Sequence, residues 1–412
     1  MTTTTATTTP QQRWLLGTAP LRARTAAAVG DERLRHNVAH AVDRFAGHRL
    51  TGLAELHDAD GLRSAARAVR ASVLADLPTI VERFADAALA NGASVHWAPD
   101  AADACRYVLD VCRTHDARSV VKSKSMATEE IGLNEALDSA GLDVVETDLG
   151  EWIIQLARQA PSHIIAPAVH HDRRSIAELF AAVAGRTETS TEPEALNAFA
   201  RDTLRRAFLA ADVGVSGANF GVASTGSIVL VTNEGNGRLV TSLPRVHIAV
   251  VGVERMTADW PQAELLLSLL TRSATGQRLS SYVSVITRPG DDGPEELHVV
   301  IVDNGRADIL GSDEHEMLAC IRCGACLNAC PVYRQIGGHA YGWVYPGPMG
   351  AVLTPLLAAG HAGAADVPKA STLCGACMDA CPVEIPLQDL LLVQRRQRQA
   401  PPTEAALWRA WA

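Results

Sequence analysis

Aromatic side chains make up only 4% of the 412 residues, and no run of about 18 consecutive apolar residues occurs, so no segment reads as a bilayer-spanning helix. Positive charge is not in excess either. With 37 Lys and Arg against 46 Asp and Glu the formal net charge is −9, which argues against a general nucleic-acid binder, because neutralising phosphates needs a basic face. The N-terminus, MTTTTATTTPQQR, lacks the apolar core of a secretory signal, and the expected location is the cytoplasm. No G-x-G-x-x-G opens a helix after an apolar run, so no dinucleotide-binding fingerprint is found.

Cysteine, by contrast, is concentrated in one place. All but two of the nine cysteines lie between Cys320 and Cys381. The first run is C-x₂-C-x₂-C-x₃-C-P at Cys320, Cys323, Cys326, Cys330 and Pro331, and the second is C-x₂-C-x₃-C-P at Cys374, Cys377, Cys381 and Pro382. Iron in a cubane cluster needs soft anionic sulfur, and three thiolates from one tight turn with a fourth from a distant segment can surround it. Where two such runs occur together, the last cysteine of each ligates the other run's cluster. One cluster then takes Cys320, Cys323, Cys326 and Cys381, and the other takes Cys330, Cys374 and Cys377. Structural zinc prefers two separated pairs of ligands, which this spacing does not offer, and disulfides are not expected in a reducing compartment.

The runs CIRCGACLNACPV and STLCGACMDACPV share Cys-Gly-Ala-Cys and Ala-Cys-Pro-Val in the same register, as a duplicated unit would. Ser371 falls where Cys320 stands. The second cluster is one thiolate short, which leaves three outcomes: a three-iron cluster, a four-iron cluster with one open iron, or serine ligation. The expectation is two [4Fe-4S] clusters, the second with three cysteine ligands.

At about 100–200 residues per domain, a chain of 412 residues holds two or three. Residues 1–37 read as a disordered tail, with threonine-rich low complexity at its start. Residues 38–91 show apolar positions at three- and four-residue steps, a helical lead-in. Residues 92–304 alternate short apolar runs, such as Ser119–Ser123, His163–Pro167, Ser227–Thr232 and Arg245–Val253, with helical segments such as Ala101–Thr114, Thr128–Ala140 and Pro193–Ala210. That alternation implies an α/β domain with a parallel or mixed sheet covered on both faces, and late crowding of strands adds antiparallel pairing. Residues 305–399 carry the cysteines, and 400–412 form a C-terminal segment.

Other residues are candidates for chemistry. Lys122 and Lys124, beside Thr128 at a helix start, can hold an anion, or one can face water while Thr128 caps. The loops Ser216–Asn219, Ser224–Ser227 and Asn233–Arg238 end apolar runs and are able to share a pocket, although Asn236-Gly237 is also a hairpin-turn signal. His170-His171-Asp172 reads more readily as a polar loop than as a metal or base site. Cys105 and Cys112 share one helix face and read as core. His339 and Tyr345 offer proton shuttling or partner contact against plain packing, and Arg395, Arg396 and Arg398 offer docking to an acidic partner against a solvated face.

With the cysteine runs and the stretches VVKSKSMATEEIGLNEAL, GANFGVASTGSIVLVTNEGNGR and GGHAYGWVYPGPMGAVLTPLL in view, the chain resembles the lactate utilization protein B family. The resemblance implies a lactate-utilization α/β domain, similar in fold to glucosamine-phosphate isomerase and CoA transferases, followed by an α-helical two-cluster ferredoxin domain. It implies an electron-transfer subunit, not a complete enzyme alone, in a multi-component system oxidising L-lactate to pyruvate. The implied partners are a cysteine-rich iron–sulfur protein and a second protein with the lactate-utilization domain. The resemblance carries over the same seven ligands, Cys320, Cys323, Cys326 and Cys381, then Cys330, Cys374 and Cys377, and implies that three cysteines at the second cluster are a family trait. Family members continue past the point where this sequence ends in EAALWRAWA, so a shortened C-terminal segment is expected. A reading from another class makes the α/β domain an acyl or phospho-sugar transferase or isomerase, with regulatory clusters, Glu234 as nucleophile or base, and the Thr225–Ser227 loop as anion cradle.

Overall fold

The computed structural model describes residues 19–185, 190–290, 293–358 and 363–397. Its strands are β1 (Ser94–Ala98), β2 (Ser119–Lys122), β3 (Asp143–Glu146), β4 (Val213–Gly217), β5 (Phe220–Val222), β6 (Ser227–Thr232), β7 (Val246–Gly252), β8 (Met256–Thr257), β9 (Tyr282–Ile286) and β10 (Glu296–Val302). Six form one sheet in the order β1-β10-β7-β4-β2-β3, and every neighbouring pair is parallel. A parallel sheet needs crossover helices, which cover both faces and make its central strands apolar on both sides. Val246, Ile248 and Val250 of β7 accordingly face the layer containing the helix Ala101–Thr114, whereas Ala249 and Val251 face the opposite core.

The order reverses between β2 and β4: the chain leaves β2 outward to β3, then returns to β4 and runs through β7 to β10 on the other side. In open parallel sheets such a reversal leaves a crevice at the carboxyl ends of the two diverging strands. Here those ends lead into Lys124-Ser125 and Gly217-Ala218-Asn219. A Cβ on Gly217 would stand 2.4 Å from Ser125 Oγ, so glycine lets the two loops meet.

A second sheet, β8-β5-β6-β9, lies beside the first, with β5 antiparallel to β6 and β6 antiparallel to β9. The helix Leu77–Ala90 packs on it. At Gly226, φ is +64° and an added Cβ would stand 2.4 Å from the backbone N of Ala88, so no other residue fits that turn.

The helices Glu32–Ala54, Ala59–Ala75 and Leu77–Ala90 share one continuous apolar core with β7, β10 and the cysteine-bearing segment. Arg70, fully buried, ties these layers: its guanidinium donates to the carbonyls of Met256, Leu318, Ala319 and Glu254.

Several expectations are corrected. The tail expected over 1–37 is helical from Leu21 onward, as Leu21–Gly30 and then Glu32–Ala54; residues 1–18 lie outside the described residues. His163–Pro167 is not a strand. The His163 ring folds back so that Nδ1 accepts from the N–H groups of Ile165 and Ala166, and Ser162 N–H reaches the Pro167 carbonyl, closing a bent loop. The helix expected over Thr128–Ala140 breaks at Gly132 (φ 68°) into Met126–Glu130 and Leu133–Ser139. Asn236-Gly237 does not turn a hairpin but begins the helix Asn236–Ser242. The expected cysteine-bearing segment 305–399 ends in the helix Leu387–Gln397; Arg398, Gln399 and the C-terminal segment 400–412 lie outside the described residues.

Candidate functional site

The two cysteine runs fold as matching turns. Arg322 and Leu373, each just before a cysteine, are left-handed (φ 59° and 57°), and so are Gly324 and Gly375 just after it (78° and 85°). Such alternation turns successive N–H groups inward, a concavity suited to an anion. Sulfur receives them: Arg322 N–H donates to Cys320 Sγ, Tyr333 N–H to Cys330 Sγ and Ile385 N–H to Cys381 Sγ, each at 3.4 Å. The short helices Ala325–Asn328 and Ala376–Ala380 that follow the turns pack against each other, which brings the distant cysteine runs together.

Cys320, Cys323, Cys326 and Cys381 line one enclosed cavity, walled by Ile164, Ile321, Met349, Val383, Ile385 and Leu387. Burial pushes the Cys323 and Cys326 thiols well up, with the neighbouring sulfurs adding to the effect, and the Cys381 thiol up to about 11. Cys330, Cys374 and Cys377 form a second group: burial and the charge of Cys374 raise the Cys330 thiol, and burial with the charges of Cys330 and Cys374 pushes Cys377 up to about 12. Cys374 is exposed, and its thiol is lowered by the N–H of Ala376 and the Thr372 side chain.

These donor sets fit iron–sulfur clusters. Buried sulfurs that repel one another as anions call for a cationic centre, and the inward N–H groups and apolar walls are what surround such clusters. Arginines from the other layers hold the turns by their carbonyls. Arg255 donates to Cys320 and Ile321, Arg63 to Cys381 and Asp379, and Arg49 to Asp379 and Ala380. Nothing in the local sequence of those arginines marks them for this, because their partners lie far away along the chain. Ser371 Oγ accepts from Leu373 N–H at 3.1 Å.

A cavity of about 300 Å³ opens at the sheet reversal and reaches the first cysteine group, since Cys323 and Ile164 line both. Lys124 and Ser125 after β2, Gly217–Asn219 after β4, Gly252 after β7 and Arg306 after β10 form its sheet side. Its floor is a charged ring: Arg306 donates to Glu130 (2.8 Å) and Glu254 (2.6 Å), Tyr345 Oη donates to Glu130 (2.7 Å), and the Arg322 guanidinium lies 4.5 Å over the Tyr345 ring while donating to Glu254 at 3.3 Å. Burial raises the Glu254 carboxyl, but the guanidiniums of Arg306, Arg322 and Arg255 outweigh it and hold it down at about 2.

The sequence candidates divide around this pocket. Lys124 lines it, but Lys122 is fully buried and bound to Glu146 (2.6 Å) and Glu129 (2.9 Å), so the two lysines do not form an anion site together. Of the three loops expected to share a pocket, those at Ser216–Asn219 and Asn233–Arg238 contribute; Ser224–Ser227 does not, since Thr225 and Ser227 hydroxyls bond each other and Thr287. Glu234 lies beside Asp148 and is therefore separated from its supposed anion cradle. His170 and His171 both bond Gln159, and Asp172 caps a helix. Cys105 and Cys112 are core residues. His339 bonds the Ala160 carbonyl, and Arg395 holds the carbonyls of Pro368 and Ser371, so it does not serve as a docking charge.

Two family models match successive parts of the chain. A model described as LUD domain matches residues 81–302, and one described as 4Fe-4S dicluster domain matches residues 316–385. Lactate utilization protein B of Macrococcus caseolyticus is 50% identical over 371 residues, covering 89% of this chain and 77% of that protein. Its namesake from Bacillus licheniformis is 47% identical over 387 residues, 93% of this chain and 81% of its own length. A solved DUF162-family protein from Deinococcus radiodurans aligns over 55% of this chain and 98% of its own at 15% identity and a TM-score of 0.32, too loose a likeness to argue from.

Proposed function

Because this chain belongs to the lactate utilization protein B family, we propose that it is the iron–sulfur electron-transfer subunit of a multi-component system oxidising L-lactate to pyruvate. Cys320, Cys323, Cys326 and Cys381 hold one [4Fe-4S] cluster, and Cys330, Cys374 and Cys377 hold a second with three cysteine ligands. When bound, two such centres supply one-electron transfer, which divides a two-electron oxidation into single steps. The chain's own groups do the rest: inward N–H groups and the carbonyl-holding arginines fix the turns, and apolar walls keep water from the first centre. The partners are a cysteine-rich iron–sulfur protein and a second LUD-domain protein. No described helix is long and apolar enough to cross a membrane, and we place the work of the complex in the cytoplasm.

The observation that carries this reading is the enclosure of four sulfurs from two distant runs in one cavity whose Cys323 wall also faces the sheet-end pocket. The test is anaerobic purification with iron and sulfide analysis and EPR of the reduced protein. Two reducible centres are expected, with Cys323→Ser removing the first and Cys374→Ser the second. Zinc in place of iron, or centres that stay oxidised with lactate and the partners present, would overturn the reading.

A further inference from the structure

Strand β10 enters its sheet with two polar residues ahead of its apolar run. Residues two apart share a strand face, so Glu296 and His298 lie on the side from which Val300 and Val302 pack into the core shared with the helix Ala101–Thr114. That helix ends with His115 as its C-cap, which brings a third donor to the same spot. His115 Nε2 lies 3.2 Å and His298 Nε2 3.4 Å from Glu296 Oε2, and the ligand atoms of the three residues all lie within 4.8 Å of one another. Charge-assisted N–H···O bonds settle at about 2.7–2.9 Å, so both contacts are long for hydrogen bonds between charged partners. They match instead the edge of a tetrahedron, about 3.3 Å, whose corners stand about 2.0–2.1 Å from a metal ion. His298 is buried, His115 partly so, and Glu296 is exposed, so the group is walled by protein on one side and open to water on the other. Behind His298, Tyr107 Oη lies 2.9 Å from its Nδ1. The Tyr107 ring is itself held, stacked on His96 at 4.1 Å between centroids, and His96 Nε2 is bonded to Asp103 at 2.6 Å.

We propose that His115, Glu296 and His298 bind a zinc ion, with His115 Nε2, His298 Nε2 and a Glu296 carboxylate oxygen as three ligands and water as the fourth. The donor set selects the metal. Imidazole nitrogen suits borderline cations such as zinc, whereas magnesium and calcium want a shell of oxygens, of which one carboxylate supplies too few. A metal-bound histidine donates its other ring N–H to an acceptor that fixes its tautomer and orientation. Tyr107 Oη is in place to accept from His298 Nδ1–H, which leaves the Nε2 lone pair directed at the ion. The site lies where β10 enters the sheet, whereas the cavity lined by Gly252 and Arg306 lies past the carboxyl ends of β7 and β10, so the two are at opposite ends of the strands. Zinc there ties the end of the helix Ala101–Thr114 to β10. The proposal does not rest on the electron-transfer reading, which concerns other residues.

The test is calorimetric titration of the tag-free, anaerobically purified holoprotein with zinc chloride, with iron and sulfide counted before and after and zinc-edge X-ray absorption measured on the loaded sample. One zinc per chain is expected in addition to the iron, in a shell of nitrogen and oxygen without sulfur. His115→Ala and Glu296→Gln, both on the side open to water, should each weaken binding about a hundredfold, and Tyr107→Phe, which removes only the acceptor behind His298, about tenfold. His298 is left in place because it is buried. Zinc should also raise the urea midpoint of the wild type and leave that of Glu296→Gln where it was, since a ligand held only by the folded chain stabilises it. Absence of saturable zinc binding, sulfur in the zinc shell, zinc gained as iron is lost, affinity unchanged by His115→Ala and Glu296→Gln, or magnesium chloride binding as tightly as zinc each overturns the proposal.

Discussion

Ser371 occupies, in the second cysteine turn, the place that Cys320 occupies in the first. Its Oγ accepts the N–H of Leu373 at 3.1 Å, as the Sγ of Cys320 accepts the N–H of Arg322 at 3.4 Å, and both donors are left-handed residues. The turn of the repeat is therefore the same whether a thiol or a hydroxyl stands at this position. The Arg395 guanidinium holds the Ser371 carbonyl at 2.7 Å, so the position is fixed.

A thiolate restored there should complete the second centre. Mild ferricyanide oxidation of the wild-type protein is expected to remove the open iron and produce the EPR signal of a three-iron cluster, and Ser371→Cys is expected to suppress it. Ser371→Ala should behave as wild type if the hydroxyl is not a ligand. An unaltered oxidation product in Ser371→Cys would show that residue 371 does not face the cluster.

Arg70 is the second point of leverage. It is fully buried and donates to four carbonyls from β8, the segment before it and the approach to the first cysteine turn. Arg70→Met leaves those acceptors dry, at about 1–3 kcal/mol for each one that finds no water. Arg70→Lys cannot span four acceptors with one ammonium and should recover only part. Urea unfolding followed by circular dichroism, with iron release monitored at 400 nm or so, should show Arg70→Met losing at least ~3 kcal/mol and releasing iron at lower urea than wild type. A loss under about 0.5 kcal/mol would mean that the three layers hold together without this clamp.

What was legible in the chain was whatever is written locally. The cysteine spacing announced the metal centre, and β6, the helix Ala101–Thr114 and the helix Pro193–Ala210 lie where periodicity placed them. Strands β5 and β8 are three and two residues long and pair with partners elsewhere in the chain, so no periodicity could mark them. The His163 loop misled because its apolar run is bent by its own imidazole, a side-chain contact that composition does not reveal. Lys122 misled for a related reason, since a lysine at a strand end near a helix start looks alike whether it faces a ligand or three buried carboxyl groups. Arg322 sat unnoticed between two cysteines of the first run; only the fold shows that it lines a pocket together with four strand ends.

Glu254 sets the acid limit of the ring beneath that pocket. Its folded carboxyl is held at about 2 against an ordinary 4.5. A lowered carboxyl contributes stability that is full above the unfolded value and is lost as pH falls from about 4.5 through 2. By linkage the contribution is on the order of 3 kcal/mol. The stability gap between wild type and Glu254→Gln, from urea midpoints, should be widest at pH 7 and narrow by pH 3. A gap constant with pH would mean that the arginines do not act on Glu254 through its charge.

The opposite sign is expected around Lys122. Its ammonium is shared by Glu146 and Glu129, with Glu151 close enough to feel it, so one cation faces three buried carboxyl groups. Burial, set against the pull of Lys122 and added to by the Glu129 charge, raises Glu146 to about 7, and burial with the Glu129 and Glu146 charges raises Glu151 well above the ordinary carboxyl range. A raised carboxyl binds a proton in the folded state that the unfolded chain has already released, so its stabilising effect falls as pH rises from about 4.5 to 7. Removing the cation by Lys122→Met should cost about 3–5 kcal/mol at pH 8, where the carboxylates are left unbalanced. At pH 6 protonation of Glu146 and Glu151 takes over part of the lysine's role, and the deficit should shrink measurably in the same urea titration. A deficit equal at both pH values would mean that Lys122 matters for its packed methylenes and not for its charge.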